Sequence, residues 1–346
     1  MDCRDRGDLT ADLLLPVLGV LLDRPPAGWQ AKLDRAIRLA GWERFTEVLW
    51  ENRITLRAAY ALRGQLPSVP EEAWHTLVSR EEARQKRHVE LLRLLTERLD
   101  LDFMFIKTLE NFPDFGHDVD LLTREDGRRV AQAFLQNGFM AANEKLAARI
   151  ADKMNFFLGD YCAVEVHCGR VGEFGEHREL AHHILDNKVS VELEGVGAWV
   201  PRRSSSIIVM VLQRLYRHFN LRACDVLNAT RWIRSGRVNL EEVYRDAGRF
   251  GVLPGVRWFL RFLNEVQVAY GADKVVPTEP LTDVLYCKSL LLRFSRVRFV
   301  PSMYGRKLAW SLRGRHLDAA RRELLVLPLA PAAFFSHYIL KRKALW

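Results

Sequence analysis

The sequence lacks the patterns that would set it apart from ordinary globular proteins. No apolar run approaches the roughly 20 residues needed to cross a bilayer, and the two longest, Leu13–Leu22 and Leu324–Phe335, are too short. No small-residue cleavage pattern follows the first run, and the chain has neither internal repeats nor low-complexity tracts. With 49% hydrophobic and 27% charged residues, the composition is that of a globular protein. We therefore expect a cytoplasmic protein.

Cysteine is scarce. The 346 residues contain five cysteines, an odd number, and no two of them have the Cys-x-x-Cys spacing of a zinc site or redox motif. Cys162 and Cys168 have the parity of the apolar residues in a predicted strand. We interpret them as small core residues in a reducing compartment. The cysteines therefore predict neither a disulfide framework nor a zinc site.

Positive charge is concentrated at the C-terminal end. The net charge is +9, and residues 288–346 hold 13 of the 52 Lys and Arg residues but only two of the 43 acids. Aromatic residues such as Trp310 and Trp346 are interleaved with the basic ones. Such a segment suits an anionic membrane surface or an acidic partner, and nucleic acid less well. Alternatively, the segment consists of helices that pack on the rest of the protein. The aliphatic parts of its arginine side chains would then cover apolar surface while the guanidinium groups stay in water.

The most specific chemical feature is a pair of acids, Asp118 and Asp120, in the apolar segment 115–122. Side chains of a strand alternate between its faces, so both carboxylates point the same way while Val119 and Leu121 point into a core. Neighbouring carboxylates repel each other unless a cation lies between them. Their oxygens suit Mg2+ or Mn2+, and Mg2+ commonly joins such acids to substrate phosphates. The alternative is an ordinary solvated strand edge.

A second segment, Tyr161–Cys168, has the period-two pattern of a half-buried strand. Val164 and Val166 share one parity, and Glu165 and His167 share the other. If this strand lies beside the first, Glu165 completes a three-carboxylate cluster of the kind that two-metal phosphoryl transfer needs. The alternative is that Glu165 and His167 form the solvated face of an edge strand.

Upstream, residues 101–108 form a short apolar segment that ends in Lys107 and Thr108. An ammonium and a hydroxyl at the turn after a strand can contact phosphates. Lys107 could also end the strand without binding a ligand.

The order of these segments resembles that of the uncharacterised nucleotidyltransferase family, within the polymerase-beta-like nucleotidyltransferase superfamily. Residues 106–108 resemble its Leu-Lys-Gly segment, residues 116–122 its metal-binding strand and residues 164–167 its third-carboxylate strand. Residues 215–227 are more weakly similar to its helical segment with His, Leu-Arg and Asp. The resemblance covers roughly residues 85–265. Where the superfamily favours Gly-Gly or Gly-Ser, this chain has Lys107-Thr108-Leu109.

The resemblance implies an enzyme that transfers a nucleoside monophosphate from an NTP to a hydroxyl or phosphate of a small-molecule or protein acceptor. It implies Mg2+ or Mn2+ held by Asp118, Asp120 and Glu165. His167 would orient Glu165 or the acceptor, and Arg222 would reach a phosphate unless it pairs with Asp225. The residues implied in nucleotide binding are Lys107, Thr108, Gly116, His167 and Arg222.

The patterns predict an α+β protein with three parts. Residues 1–100 form an N-terminal helical domain, residues 101–203 a core with a small mixed nucleotidyltransferase-like sheet, and residues 204–346 a C-terminal helical domain with the basic tail. Ser204–Ser206 are predicted to cap a helix that starts at Ile207, and Asn239 is predicted to cap the next-but-one helix. The histidines at 177, 182 and 183 are expected to be solvated helix residues.

Two other functions stay open. In a non-enzymatic module the acids would be remnants, and the basic aromatic end would dock on a membrane or partner. In an enzyme that modifies nucleic-acid ends, RNA binding would weaken steeply with salt. Metal-dependent NTP binding that the substitution Asp120→Asn removes would distinguish the transferase from the module.

Overall fold

The computed structural model describes residues 3–143, 146–172, 175–218, 221–277, 300–314 and 316–326. Within them the protein has a mixed α+β fold with a small mixed sheet between helical segments, which confirms the predicted fold class. None of the described helices is long and apolar enough to cross a membrane.

Five helices precede the sheet, as the apolar periodicity predicts. The longest starts directly after Pro70, whose fixed φ suits a helix start, and carries Glu71 and Glu72 in its first turn, where acids favour the helix dipole. Its buried stripe includes Leu91, Leu92 and Leu95. The helices are α1 (Cys3–Leu21), α2 (Trp29–Ala40), α3 (Trp42–Glu51), α4 (Thr55–Leu62) and α5 (Glu71–Arg98).

The central sheet has five strands in the order β1-β2-β5-β4-β3. The pair β2 and β5 is parallel, and the other neighbours are antiparallel. The segment 143–160, which has no clear pattern in the sequence, contains a short helix and β4. The elements are β1 (Phe103–Ile106), a single 3-10 turn (Leu109–Asn111), β2 (Asp118–Thr123), α6 (Gly127–Gln136), β3 (Met140–Ala141), α7 (Leu146–Ile150), β4 (Lys153–Phe157) and β5 (Ala163–Cys168).

The two faces of the sheet belong to different hydrophobic clusters. Val119 and Leu121 lie in a core with the C-terminal half of α5 and with α6. On the opposite face, Ile106 and Leu122 lie in the larger cluster of the flanking helices. Asp120 is the ladder partner of Ile106, so the acids are on this second face, between the sheet and the helical segments.

A second, two-stranded sheet completes the core. It is a hairpin whose turn contains Glu194 and Gly195 with φ values of 49° and 72°, the positive values that a tight hairpin turn needs. Val196, Ala198 and Val200 face the same core as Val119. The elements are α8 (Arg178–Asp186), β6 (Lys188–Leu193) and β7 (Val196–Pro201).

The described residues of the C-terminal part are helical, as predicted, but two local predictions, one here and one at the end of the core, are wrong. Ser204–Ser206 do not precede the helix: they lie buried in its first turn, which begins at Arg203. His177 is not a solvated helix residue, since it precedes α8 and is 4% exposed. The elements are α9 (Arg203–Gln213), a π-helical turn (Arg214–His218), α10 (Ala223–Arg234), α11 (Leu240–Arg249), α12 (Leu253–Ala269), α13 (Val300–Arg313) and α14 (Leu317–Val326).

Helices that precede the central sheet and helices that follow it share one core. Leu13 and Trp74 from the first hundred residues lie in the same hydrophobic cluster as Val211 and Phe259. The hydroxyl of Tyr270 donates to the carbonyl of Leu15 at 2.7 Å. The described helices α1–α4 and α9–α12 thus contribute to one hydrophobic cluster on this face of the sheet.

Two basic residues of the C-terminal segment make contacts within the protein. Lys307 on α13 donates to Glu176, and both side chains are almost completely buried. Arg322 on α14 contacts Asp152 at 2.9 Å. The basic residues before residue 300 and after residue 326 lie outside the described residues, so docking of this segment on a membrane or an acidic partner stays a prediction.

Candidate active site on the helical face of the sheet

The acids lie on two neighbouring parallel strands. Asp120 is the ladder partner of Glu165, and Asp118 is the partner of Ala163 two residues earlier. Ladder partners project to the same face of a sheet, so all three carboxylates are on the helical face. The predicted adjacency of the two acid-bearing strands is therefore confirmed.

Two lysines lie among these acids. Lys107 directly follows β1 and has a φ of 62°, in the left-handed region that few non-glycine residues adopt. Its ammonium donates to Oδ1 of Asp120 and is 3.9 Å from Oε1 of Glu165. Lys153 at the start of β4 donates to the same Oε1 of Glu165 at 3.2 Å. Asp120 and Glu165 thus each have an ammonium group beside them.

His167 links the same two carboxylates. Its Nε2 lies 2.9 Å from Oε1 of Glu165 and 3.4 Å from Oδ1 of Asp120. Burial, together with the positive charges of Lys153 and Lys107, lowers the pKa of His167, so the ring is neutral at pH 7. Nε2 also lies 3.3 Å from Nζ of Lys107, and Nδ1 has no hydrogen-bond partner among the described residues. Because two carboxylates face Nε2, we assign the single ring proton to that nitrogen. His167 therefore orients the carboxylates by hydrogen bonding.

The surroundings lower the pKa of two of the acids and raise the pKa of the third. Burial alone would raise the pKa of Glu165, but His167, Lys153 and Lys107 outweigh it and hold the pKa well below its usual range. At Asp120 burial would likewise raise the pKa, but Lys107 and His167 outweigh it and lower the pKa. Burial and the charge of Asp120 instead raise the pKa of Asp118. Asp118 therefore gains most from an added cation.

The distances define where an ion could bind. Ligand atoms of Asp120, Glu165 and His167, called here the carboxylate–histidine group, lie within 4.8 Å of one another. Asp118 lies at the margin of this group, with a half-exposed side chain whose Oδ1 is 3.8 Å from Nη2 of Arg53. Of the three predicted acids, Asp120 and Glu165 thus lie in this group together with His167, and Asp118 is not part of it.

Thr108 and Gly116 have structural contacts within the site. The amide of Asp120 donates to Oγ1 of Thr108 at 2.9 Å, and that hydroxyl donates to the carbonyl of Ile106 at 3.2 Å. Thr108 therefore ties the end of β1 to β2. The carbonyl of Gly116 accepts a hydrogen bond from Arg84 at 3.2 Å. Contact of either residue with a phosphate stays a prediction.

Arg222 lies beside the site without the expected partner. Its backbone amide donates to Oδ2 of Asp225 at 2.8 Å, but the guanidinium on that oxygen is Arg214, at 2.7 Å. Nη1 of Arg222 is buried, and among the described residues it has no hydrogen-bond partner. The carboxylate of Asp225 therefore pairs with the side chain of Arg214, and not with the side chain of Arg222.

Four basic residues of the site are missed by the sequence interpretation. Lys153 lies in the segment without a clear pattern, although its alternation with Met154 and Asn155 is a weak strand signal. Arg84 and Arg214 lie on helices and Arg53 lies in the turn between α3 and α4, in sequences rich in other charged residues. No local pattern separates them from solvated arginines, because only the tertiary fold brings them to β2.

Comparison of the chain with protein-family models, with curated proteins and with solved structures finds no match. The assignment of a function therefore depends on the geometry and chemistry of the site.

Proposed function

We propose that this protein is a metal-dependent nucleotidyltransferase with a nucleotidyltransferase-like sheet. It would transfer a nucleoside monophosphate from an NTP to a hydroxyl or phosphate of an acceptor and release pyrophosphate. The observation that carries the proposal is the register of β2 and β5, with Asp120 opposite Glu165 and Asp118 on the same face. Nucleotidyl transfer depends mainly on positioning and charge neutralisation, which acids on adjacent strands can provide.

The donor set fits a hard divalent cation. Asp120 and Glu165 are ionised at neutral pH because their pKa values are lowered, and carboxylate oxygens are the ligands that Mg2+ and Mn2+ prefer. Asp118, Asp120 and Glu165 would hold the metal. When bound, it supplies positive charge that neutralises the phosphate oxygens and activates the attacking oxygen.

The other residues have supporting roles. Because the pKa of Glu165 is held low, Glu165 is a weak proton acceptor and suits metal binding better than general-base catalysis. His167 orients Glu165 and Asp120 through Nε2. Lys107 and Lys153 balance the negative charge of the buried acids, which would otherwise be costly.

The direct test is titration of the full-length protein with each of the four NTPs in the presence and absence of Mg2+. We expect Mg2+ to tighten the binding of at least one NTP about tenfold or more. The substitution Asp120→Asn should abolish this gain, since it removes a charged ligand of the ion. Isothermal titration calorimetry measures both affinities, and release of pyrophosphate with that NTP reports the chemical step.

Asp160→Asn is the matched control, because Asp160 is exposed in the loop between β4 and β5. It removes the same charge and should leave the effect of Mg2+ unchanged. NTP binding that does not respond to Mg2+, or that is the same in the Asp120 variant and the wild type, would refute the proposed activity.

One observation favours the non-enzymatic alternative. Lys107 and Lys153 already neutralise Asp120 and Glu165, so the acids could be structural without any ion. In that case Asp120→Asn would lower stability by leaving Lys107 with a weaker partner, and Mg2+ would have no effect on nucleotide binding. The same titrations therefore separate the two functions.

A further inference from the structure

Arginines from distant parts of the chain converge on the segment that leads into β2. Arg53 lies between α3 and α4, and its Nη2 is 3.8 Å from Oδ1 of Asp118. Arg84 comes from α5 and donates to the carbonyl of Gly116 at 3.2 Å. The turn between α3 and α4 and the helix α5, which are separate in sequence, thus bring guanidinium groups to the N-terminal end of β2.

Arg222 belongs to the same place. Asn52, which precedes Arg53, accepts hydrogen bonds from the amides of Ala223 at 3.0 Å and Cys224 at 3.2 Å. These bonds hold the start of α10, and with it Arg222, against the end of α3. We call Arg53, Arg84 and Arg222 the arginine cluster.

The contact of His117 with α3 agrees with this arrangement. The ring of His117, which directly precedes Asp118, packs edge-on against Trp50 at the end of α3, with the ring centroids 4.2 Å apart. The end of α3, next to Arg53, therefore lies against the segment that leads into β2.

The positive charge of the cluster is incompletely balanced. Arg84 pairs with Glu81 at 2.8 Å, but Arg53 is beyond hydrogen-bond distance of Asp118. Nη1 of Arg222 is buried and lacks a hydrogen-bond partner in the described part of the chain. Burial and the charges of Arg214 and Arg53 lower the pKa of Arg222 to about 10. A buried donor without an acceptor is costly, so this nitrogen would gain from an added acceptor.

We propose that the arginine cluster binds the triphosphate of the NTP beside Asp118. The proposal rests on the proposed function for the identity of this anion. Guanidinium groups bind phosphate oxygens through paired, charge-assisted hydrogen bonds. Lys107 and Thr108, at the turn after β1, are engaged with Asp120 and the backbone. Among the described residues near Asp118, the arginines are therefore better placed to bind a phosphate chain.

The position next to Asp118 favours the triphosphate over a phosphate carried by the acceptor. Asp118 is the half-exposed acid of the site and contacts Arg53. A phosphate there would contact both the cluster and an ion held by Asp118, and Mg2+ in such enzymes is shared between carboxylates and substrate phosphates. A chain of phosphates also spans several arginines, which a single phosphate does not.

The experiment is calorimetric titration of the full-length protein with inorganic triphosphate and with orthophosphate, first in EDTA and then in Mg2+. We expect triphosphate to bind about tenfold or more tightly than orthophosphate. Arg53→Gln and Arg222→Gln should each weaken triphosphate binding about tenfold, the typical loss for a charge-assisted hydrogen bond. Arg222→Lys should lie between wild type and Arg222→Gln. Thermal unfolding checks that each variant is folded.

Arg80→Gln is the matched control. Arg80 lies one helical turn from Arg84 on α5 and also pairs with Glu81, but its side chain is largely exposed. It should bind triphosphate within about twofold of wild type, because only surface charge is lost. Unchanged binding in the Arg53 and Arg222 variants, an equal loss in Arg80→Gln, or orthophosphate binding as tight as that of triphosphate would each overturn the proposal.

Asp120→Asn separates this proposal from the proposed function. If the arginine variants lose triphosphate binding while Asp120→Asn leaves the Mg2+ dependence of NTP binding unchanged, the phosphate site stands and the transferase activity is refuted.

Discussion

Gly116 shows how a missing side chain shapes the site. A Cβ atom added there would lie 2.5–2.6 Å from the guanidinium group of Arg53, well inside the distance of any normal contact. The backbone conformation of Gly116 does not itself require glycine, since its φ is not among the positive values of the chain. The absence of a side chain at 116 therefore gives Arg53 room beside Asp118.

We predict that Gly116→Ala weakens triphosphate binding about fivefold, or ~1 kcal/mol, with little change in melting temperature. The new methyl group meets the flexible end of Arg53, which can move away at little cost but then leaves the arginine cluster. Calorimetry with inorganic triphosphate and thermal unfolding measure the two effects. Gly197→Ala is the control, because a Cβ there has no neighbour within 4 Å; equal affinity in both variants would contradict the role of Gly116.

At the scale of elements, capping depends on whether a polar side chain precedes the first turn or lies within it. Asn239 precedes α11, and its side chain accepts a hydrogen bond from the amide of Glu242 at 3.2 Å. Ser204–Ser206 have the composition of a cap but lie inside α9, buried among its neighbours. Because α9 is buried against the sheet and the other helices, it begins at Arg203, before the serines that the local pattern predicts as its cap.

We predict that Asn239→Ala lowers the free energy of unfolding by about 1 kcal/mol, the usual value of an N-cap. Asn239→Ser should keep most of this energy, because a serine hydroxyl can accept the same hydrogen bond. Urea denaturation followed by circular dichroism measures the difference. An alanine variant as stable as the wild type would show that the cap of α11 contributes nothing.

At the scale of the whole molecule, a buried charged contact ties α13 to the loop before α8. Lys307 donates to Glu176, and the adjacent His177 has its Nε2 3.8 Å from that carboxylate. Burial opposes the charge of Lys307, but the ammonium prevails and lowers the pKa of Glu176 to about 2. Burial lowers the pKa of His177 to about 3. Both groups thus resist protonation in the folded protein.

We predict that acidification weakens the fold in two steps. The unfolded chain protonates His177 below about pH 6.5 and Glu176 below about pH 4.5, whereas the folded protein does so only near pH 3 and pH 2. Because the unfolded state binds more protons in these windows, stability falls as the pH falls. His177→Gln should remove the first step, which is a loss of unfolding free energy on the order of 2 kcal/mol at pH 5.

Chemical denaturation of wild type and His177→Gln at pH 7.5, 6 and 5 measures this step. The difference in unfolding free energy between the two proteins should change in favour of the variant as the pH decreases. A difference that stays constant over this range would show that His177 takes up its proton equally in both states.

Local patterns were sufficient to predict most helices and strands and the three acids of the site. The parity of residues 115–122 and 161–168 predicts the strands and the direction of Asp118, Asp120 and Glu165, because alternation in a strand is a local property. The same parity does not predict the position of Lys153, which lies opposite His167 in the antiparallel pairing of β4 with β5. It also does not predict the burial of His177, which depends on contact with α13.

The amino-acid sequence by itself determined the α+β class, the two acid-bearing strands and the helices at either end, since these follow from the spacing of apolar and polar residues along the chain. Only the tertiary structure decided that β2 and β5 are neighbours, that the two helical segments share a core, and that the arginines meet beside Asp118. These features join residues more than 30 positions apart, and side chains so distant leave no periodic signal in the sequence.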